Sequence, residues 1–425
     1  MNIFDQLLAD NQIPKFVRVR HEMDHSHIDD IEGAVAQAMR REGTLDRIKP
    51  GDSVCITAGS RDVANIARII RAICDQVKSV GAHPFIIPAM GSHAGAKAEG
   101  QRGIIEGYGV TEEAMGAPIR ASMDTEVIAH SRSGLEIHLD KFANAADFLI
   151  PVGRIKAHTD FRGEVESGIC KMLVIGMGKQ HGAYQCHKLG FKSMAANVKE
   201  FAGAIIEKKP NMFAIGLLEN AYHQTCRIEA IPAGRILAEE PPLLEYAKSR
   251  MAKVPFDQAD ILFVDETGKD ISGAGMDPNV TGRSPVLGIS RPFFQRIAVF
   301  DLTDKSHGNF GGLGSADVTT QRLYRKIDFE QTYPNGITAA EPLAVRLPAV
   351  MPSDRTAMQF ALRTATDCDW EKGPRIVWLK NTLSLSEFYI SEALIPDAEA
   401  LDNVTVVSEP MEVIFDEEGN VKELR

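Results

Sequence analysis

A lysine and two histidines stand close together in this sequence, at His158, Lys171 and His187. An amine acts as a nucleophile when its surroundings keep it unprotonated, and an imidazole moves protons near neutral pH or ligates nickel and zinc. A further histidine, His93, stands in an earlier loop between small residues. Each residue alone is more often a surface or structural side chain. Together they predict acid–base chemistry and a metal centre that act on a small anionic substrate.

The segment TAGSR supplies a candidate site for the anion itself. Gly59 and Ser60 are expected to present backbone N–H groups at the start of a helix, where the helix dipole favours negative charge. Arg61 adds a forked donor that suits a carboxylate or a phosphate. A capped helix beside a solvated arginine is the structural alternative, and the sequence alone leaves both open.

Strand-like and helix-like stretches alternate along the first part of the chain, which is typical of an α/β fold with a parallel-rich sheet. The predicted strands occupy 53–59, 83–90, 146–153 and 212–220, and the predicted helices occupy 62–81, 98–109 and 197–209. Arg61, His93 and His158 each follow one of these strands. Ligands of such sheets bind at the carboxyl ends of the strands, so we expect these side chains to meet there.

The chain of 425 residues exceeds what one hydrophobic core usually supports, so two α/β domains are expected. A charged helix end followed by a proline, within 247–258, predicts the boundary. The N-terminal domain should span 1–255 and carry the loops described above, and 405–425 is expected to return to it. The C-terminal domain should span 256–404.

The composition excludes several classes of protein. A net charge of −11 argues against a surface for nucleic acid. The chain has no run of about 18 apolar residues and no secretory signal pattern, which argues against a membrane protein. Six cysteines without a CxxC pair fit reduced thiols better than disulfides. The sequence therefore predicts a cytoplasmic enzyme or metabolite binder.

Several of these residues occur in the order found in the nickel-dependent lactate racemase family, which the first domain resembles. That family has an arginine loop, a glycine–histidine loop, a histidine, a serine–glycine–x–x–lysine segment and a further histidine about sixteen residues on. The matching positions are Arg61, His93, His158, Ser167-Gly168-Ile169-Cys170-Lys171 and His187.

The resemblance implies two α/β domains with the active site in a cleft between them. It also implies a nickel pincer cofactor, pyridinium-3,5-bisthiocarboxylic acid mononucleotide, which is joined to Lys171 through a thioamide. His187 would complete the square-planar set of nickel ligands. The residues expected to border the cofactor are Gly59, Ser60, Ser167 and Gly168.

The implied activity is racemisation or epimerisation at the hydroxyl-bearing C2 of a 2-hydroxyacid. The hydrogen on that carbon is poorly acidic, so a cofactor that accepts it as hydride avoids a carbanion. His93 and His158 match the family's two bases, one for each enantiomer. Arg61 would hold the carboxylate, and Lys269 is the candidate for an assisting lysine in the second domain. Cofactor-building enzymes are implied partners, and a homo-oligomer is compatible with the sequence.

The chain departs from the family pattern next to the lysine and in the arginine loop. Ile169 and Cys170 replace a glycine and a basic residue, the spacing from His158 to Lys171 is longer, and TAGSR replaces an acidic form of the loop. These changes favour a larger or more polar 2-hydroxyacid, such as a sugar acid, as much as lactate. Loss of the nickel cofactor is also compatible with them.

Two other interpretations stay open at the level of sequence. A metal-dependent hydrolase or lyase would use His93, His158 and His187 as ligands and would leave Lys171 without a role. A non-catalytic binder of an anionic metabolite would need Arg61 but neither of the candidate bases. Three features have no assigned role: His181, His307 and the loop 275–283.

Overall fold

The structure is a computed structural model that describes residues 3–60, 63–284, 289, 291–339 and 341–425. Its strands are β1 (Phe16–His21), β2 (Ser53–Ala58), β3 (His83–Pro88), β4 (Thr125–His130), β5 (Glu136–Asp140), β6 (Phe148–Ile150), β7 (Val152–Arg154), β8 (Phe213–Glu219), β9 (Thr225–Pro232), β10 (Gln258–Thr267), β11 (Phe293–Leu302), β12 (Val318–Thr320), β13 (Ala349–Met351), β14 (Ile376–Leu379), β15 (Glu387–Ser391), β16 (Val404–Val406), β17 (Val413–Phe415) and β18 (Val421–Leu424). Its α-helices are α1 (Ile3–Leu8), α2 (Ile31–Arg40), α3 (Ile66–Ser79), α4 (His93–Ala96), α5 (Ala98–Gly107), α6 (Glu112–Met115), α7 (Lys141–Ala145), α8 (Ile169–Lys171), α9 (Lys179–His187), α10 (Phe191–Lys208), α11 (Ile236–Arg250), α12 (Pro278–Thr281), α13 (Gln321–Arg325), α14 (Phe329–Ala339), α15 (Asp354–Thr364) and α16 (Ile395–Glu399).

The chain forms two compact units. Asp24–Met251 is the central unit, and Ala252–Arg425 together with the first 23 residues is the terminal unit. The start of the chain belongs to the terminal unit because β1 pairs with β15 and β16. The expected return of 405–425 to the first domain is wrong, since Met411 pairs with Phe16 of β1 in the terminal unit.

The central unit is built from small sheets that contain parallel strands. One sheet has the order β3-β2-β6, and β2 pairs in parallel with both neighbours. A second sheet has the order β7-β8-β9, and β4 and β5 form a separate hairpin. This mixed α/β architecture confirms the fold class that the sequence predicts.

Side chains of β2 alternate between two hydrophobic cores. Val54 and Ile56 join the core that includes the buried face of α3, whereas Cys55 joins the core that includes Leu173 and Phe201. Successive strand residues point to opposite faces, so a strand covered on both faces reads as a continuous apolar run. The residues that follow α8 therefore pack in the core on the opposite face from α3.

The strand predicted over 146–153 is two strands, β6 and β7, which belong to different sheets. Pro151 lies between them and has no N–H to donate to a ladder. β6 pairs with β2, and β7 pairs with β8. The chain thus passes from one sheet to the other shortly before His158.

The terminal unit contains an eight-stranded sheet in the order β13-β12-β11-β10-β14-β15-β1-β16. The pairs from β13 to β14 are parallel, and those from β14 to β16 are antiparallel. β17 and β18 form a separate hairpin. Across the described parts of both units, no helix combines the length and the apolar character that crossing a bilayer requires.

Candidate active site

His158 and Lys171 contact each other in the central unit. The Nε2 atom of His158 lies 2.5 Å from the Nζ atom of Lys171. The loop after β7 carries the histidine, and α8 carries the lysine. The His158 side chain is 12% exposed, so the contact is largely shielded from water. The structure therefore brings together two of the residues that the sequence singles out.

Hydrogen bonds and an aromatic contact orient the His158 ring. The Asp160 N–H donates to Nδ1 over 2.9 Å, and the Phe161 ring stacks on the imidazole at a centroid distance of 4.2 Å. The His158 N–H donates to the carboxylate of Glu166 over 2.7 Å. These contacts hold the backbone of His158 and the Nδ1 edge and one face of its ring, so the ring presents Nε2 to Lys171.

Two cations balance the Glu166 carboxylate, which is completely buried. Lys248 of α11 places Nζ 3.0 Å from one oxygen, and Arg162 places a guanidinium nitrogen 3.4 Å from the other. A buried carboxylate needs such partners because its desolvation is costly. Arg162 also donates to the carbonyl of His158. Glu166 therefore ties the histidine loop to α11.

A second buried carboxylate, Glu240, holds the start of the turn that carries Lys171. Its Oε2 accepts a hydrogen bond from the Cys170 N–H over 2.8 Å. A Cβ at Gly168 would overlap the Glu240 carboxylate, so the glycine lets that group reach the first amides of α8. Burial raises the pKa of Glu240 above its ordinary value. The Oε1 atom has no hydrogen-bond partner among the described residues.

A π-helical segment, Met172–Gly176, follows α8 directly. It packs against the loops that leave β2 and β3: a Cβ at Gly59 would lie 3.3 Å from Met172 Cε, and a Cβ at Gly91 would lie 3.1 Å from Ile175 Cγ2. Gly91 also has a φ of +61°, which glycine adopts without strain. The carboxyl ends of two neighbouring parallel strands thus border this segment, as the sheet rule predicts.

His187 ends α9 and is prepared to bind through one ring nitrogen. Its Nδ1–H donates to the Ala183 carbonyl over 2.6 Å, which leaves Nε2 as the nitrogen with the lone pair. Burial lowers the pKa of the His187 imidazole, and any proton on Lys171 lowers it further; the hydrogen bond to Ala183 acts in the opposite direction. Metal-binding histidines commonly donate the other N–H to a carbonyl in this way.

The described residues contain no group of three or more His, Cys, Asp and Glu side chains that could hold a metal ion. A metal centre made by His93, His158 and His187 is therefore not formed. Both ring nitrogens of His158 already have partners, the Asp160 N–H and Lys171 Nζ. The described residues therefore give no support to the ligand set of the hydrolase or lyase alternative.

The neighbouring cysteines are protonated thiols at neutral pH when no metal is bound. Burial raises the pKa of the Cys186 thiol to about 12 and that of the Cys170 thiol well above its ordinary value. The amine at Lys171 and the lone pair at His187 are compatible with the covalently attached cofactor that the resemblance implies.

His93 lies where the sequence predicts, at the end of β3 and the start of α4, and it is exposed. The buried side chain of Gln101 donates to the His93 carbonyl over 3.3 Å and to the Gly91 carbonyl over 2.8 Å. These bonds fix the loop beside the π-helical segment. The role of His93 as a second base stays a prediction.

The helix expected beside Gly59 and Ser60 begins later, at α3, so their amides do not lie at its N-terminus. The Glu219 carboxylate accepts a hydrogen bond from the Ala64 N–H over 2.9 Å, so a protein carboxylate already occupies a donor near the start of that helix. Arg61 falls outside the described residues, and its contact with a substrate carboxylate stays a prediction.

Ser167, the other residue of the Ser-Gly pair, forms a two-way backbone bridge with Lys156 on the loop after β7. The Lys156 N–H donates to the Ser167 carbonyl over 3.0 Å, and the Ser167 N–H donates to the Lys156 carbonyl over 3.2 Å. The bridge closes the loop that contains His158. Contact of Ser167 and Gly168 with a cofactor stays a prediction.

Sequence reasoning missed one partly buried and one fully buried ion pair near this site. Arg154 lies 2.6 Å from Glu219, and Lys179 lies 3.1 Å from Asp140. Lys179 also donates to the Pro88 carbonyl at the end of β3, which anchors the start of α9. The partners are far apart in sequence, but polar residues at the ends of β7 and β8 were a usable signal for the first pair because those strands are neighbours.

Lys269 lies in the terminal unit, just after β10. Its Nζ donates to the Gly273 carbonyl over 2.6 Å and to the Gly311 carbonyl over 2.9 Å. The lysine thereby joins two glycine-rich loops that follow parallel strands. Its contact with substrate stays a prediction.

The three features without an assigned role occupy structural positions. His181 stacks on His138 with ring centroids 5.6 Å apart. His307 is exposed and ends a 3₁₀ turn. In the loop around α12, Arg283 lies 2.5 Å from Asp317 and donates to backbone carbonyls at the start of β11, so it builds a turn.

Neither a protein-family model nor a curated protein sequence matches this chain. Among solved structures, it is similar to the lactate racemase apoprotein from Thermoanaerobacterium thermosaccharolyticum, with a TM-score of 0.53, 16% sequence identity, and coverage of 86% of this chain and 93% of that one. A protein from Thermotoga maritima is 10% identical with a TM-score of 0.44 over 83% and 87% of the two chains. The first similarity shows a lactate-racemase-like fold.

Proposed function

We propose that this protein is a racemase or epimerase that inverts the hydroxyl-bearing C2 of a 2-hydroxyacid, with a nickel pincer cofactor attached to Lys171. The observation that carries the proposal is the contact between His158 Nε2 and Lys171 Nζ in a fold like that of lactate racemase. A tether and a proton-transfer group must meet at the reacting carbon. The contact between the imidazole and the amine supports such an arrangement.

Two residues would hold the cofactor. Lys171 would form the covalent link, and Nε2 of His187 would complete the nickel coordination. When bound, the cofactor supplies a hydride acceptor at the substrate carbon. The Glu240 carboxylate keeps the α8 turn in place by accepting its amides, and the π-helical segment sets the separation between the lysine and α9.

His158 would take the hydroxyl proton of the substrate. Once Lys171 is converted to a thioamide, it is no longer a basic partner for Nε2. The carboxylate of Asp160 lies 3.8 Å from Nδ1, close enough to accept Nδ1–H after a small shift of the ring. That tautomer frees the Nε2 lone pair to act as base. A positioned base of this kind contributes about 10²–10⁴-fold in rate.

The remaining sequence-predicted residues complete the proposal. His93, on the neighbouring strand-end loop, would serve the opposite enantiomer, and Arg61 would bind the carboxylate. Lys269 of the terminal unit would assist the substrate. The departures at Ile169 and Cys170 are compatible with a larger substrate, such as a sugar acid, as much as with lactate.

The test is to produce the protein together with the enzymes that build the cofactor. Intact-mass and metal measurements should then show one covalent adduct on Lys171 and one nickel ion per chain. Loss of optical purity across a panel of chiral 2-hydroxyacids would identify the substrate. A protein that stays unmodified in this host, or that carries the adduct and racemises none of the acids, contradicts the proposal.

A further inference from the structure

A cavity of about 280 Å³ lies at the amino ends of β2 and β3 in the central unit. Ser53 and His83, the first residues of the two strands, pair in register and line the cavity. The loops of the candidate active site leave the opposite ends of these strands. Each strand has six residues, so its two ends are about 17 Å apart at a rise of about 3.3 Å per residue. The cavity is therefore separate from the candidate active site.

The lining of this cavity combines basic side chains with an apolar wall. Lys78, His83 and Arg120 line it, and no described carboxylate does. The wall is formed by Ala82, Pro84, Phe85 and Pro118. The chain as a whole has a net charge of −11, so a cavity lined by basic groups alone differs from the average surface. Such a lining attracts an anion.

Aromatic rings, rather than a carboxylate, hold the guanidinium of Arg120. Its central carbon lies 4.2 Å from the centroid of the Phe85 ring and 5.9 Å from that of the Phe142 ring. Cation–π contacts fix the position of a charge without supplying a hydrogen-bond acceptor. Within the described parts of the chain, this guanidinium has neither an acceptor nor an ion pair. Its forked N–H donors are therefore available to an oxyanion.

Lys78 reaches the cavity from the last turn of α3. Its Nζ donates to the Met115 carbonyl over 3.3 Å, which uses one of the three N–H donors of the ammonium. Gly116 leaves room for this group, because a Cβ at that position would lie 2.9 Å from Nζ. The glycine follows α6 with a φ of +56°, which it adopts without strain. The turn after α6 thus holds the ammonium at the cavity and leaves it donors for a ligand.

Carboxylates on the neighbouring elements already have partners. Asp75 of α3 lies 2.8 Å from Arg71. Asp147 accepts hydrogen bonds from the N–H and the hydroxyl of Ser53 over 2.9 Å and 2.7 Å. Neither carboxylate lines the cavity. Lys78 and Arg120 therefore supply two positive charges that no described carboxylate of the lining balances.

We propose that this cavity is a second ligand site, which binds the phosphate group of a small organic phosphate through Lys78 and Arg120. A phosphate monoester carries a charge of about −1.5 to −2 at pH 7 and three strong acceptor oxygens, which match two cations with available N–H donors. The apolar wall accommodates the carbon body of the ligand. A cavity of about 280 Å³ is at the small end of ligand pockets, so that body has only a few carbon atoms. The inference is independent of the proposed function.

Isothermal titration of the full chain with glycerol 3-phosphate, in a buffer whose only other anion is chloride, tests the inference. One molecule should bind per chain. Lys78→Gln and Arg120→Gln should each weaken binding by about ten-fold or more, because each removes a charge-assisted hydrogen bond. Arg68→Gln is the matched control: it removes a positive charge from the same helix, but Arg68 pairs with Glu32 and does not line the cavity. Its affinity should stay within about two-fold, since water and salt screen a distant surface charge.

No binding of glycerol 3-phosphate, or equal binding by the unaltered protein and the Lys78 and Arg120 variants, overturns the inference. Malonate and inorganic phosphate are the comparison ligands, and both should bind more weakly. Tighter binding of malonate would overturn the choice of a phosphate group, and tighter binding of inorganic phosphate would overturn the choice of an organic ligand. If Arg120→Gln lowers the unfolding temperature of the ligand-free protein, Lys78→Glu replaces it. Lys78 is exposed, and the reversed charge there should abolish binding.

Discussion

The lysine of the central site and the lysine of the terminal unit have opposite kinds of partner. Lys171 faces an imidazole nitrogen, whereas Lys269 donates to two backbone carbonyls. The two carbonyls belong to different loops, so Lys269 joins those loops. An imidazole nitrogen accepts or donates according to its tautomer, so the partner of Lys171 can take part in proton transfer. The two lysines therefore differ in the chemistry that their partners allow.

The largest effect should come from exchanging the two lysines for methionine. Lys171→Met should abolish the covalent adduct and lower racemisation by about 10⁴-fold or more, because the hydride acceptor is lost. Lys269→Met should keep the adduct. Intact mass and polarimetry after production with the cofactor-building enzymes measure both. Equal adduct formation in the two variants would show that Lys171 is not the tether.

Removing the base should have the next largest effect. His158→Gln, compared per loaded molecule, should lower kcat by about 10²–10⁴-fold, since proton transfer is lost while the substrate still binds. Asp160→Asn should lower kcat by a smaller factor because the acceptor that would orient Nδ1–H loses its negative charge. Steady-state rates corrected for the loaded fraction are the measurement. An unchanged kcat in His158→Gln would remove the histidine from turnover.

Much of the frame around these lysines could be predicted from sequence. β2, β3 and β8 are buried on both faces, so each stands out in the sequence as a continuous apolar run. A parallel arrangement then places the loops that follow such strands close together. The break between β6 and β7 was missed although Pro151 marks it. The runs on either side are both apolar, and only pairing partners distinguish one strand from two.

The supporting groups of the site could not be predicted. Glu240 contacts Cys170 across 70 positions of sequence, and nothing in the local pattern of α11 marks it as buried. Similarly, β1 joins a sheet built mostly from the last third of the chain. Such contacts follow from tertiary packing, which local composition does not encode.

Nickel binding by His187, the proposed ligand, should depend on pH, whereas the covalent bond to Lys171 should not. Burial lowers the pKa of His187, so the proton that competes with nickel for Nε2 binds only at lower pH than for an ordinary histidine. Nickel should stay bound on acidification through about pH 6.5 and be released below it. Metal analysis after dialysis at stepped pH measures this. Release centred above about pH 6.5 would contradict the assignment.

A matched variant separates His187 from the lysine. His187→Ala should keep the adduct on Lys171 and lose the nickel ion, because the covalent bond does not depend on the fourth ligand. Nickel retained at one ion per chain in this variant would mean that another group completes the coordination. Intact mass and metal content, measured on the same sample, distinguish these outcomes.

Two substitutions of Glu240, the carboxylate that holds the turn carrying Lys171, should have different effects on the free energy of unfolding. Burial raises the pKa of Glu240, so its ionised form opposes folding above that pKa and its protonated form does not. Glu240→Gln keeps an acceptor without the charge and should be neutral or slightly stabilising at pH 7. Glu240→Ala leaves the Cys170 N–H without its acceptor and should cost about 1–3 kcal/mol. Urea unfolding of both variants tests this, and equal losses would show that charge is irrelevant here.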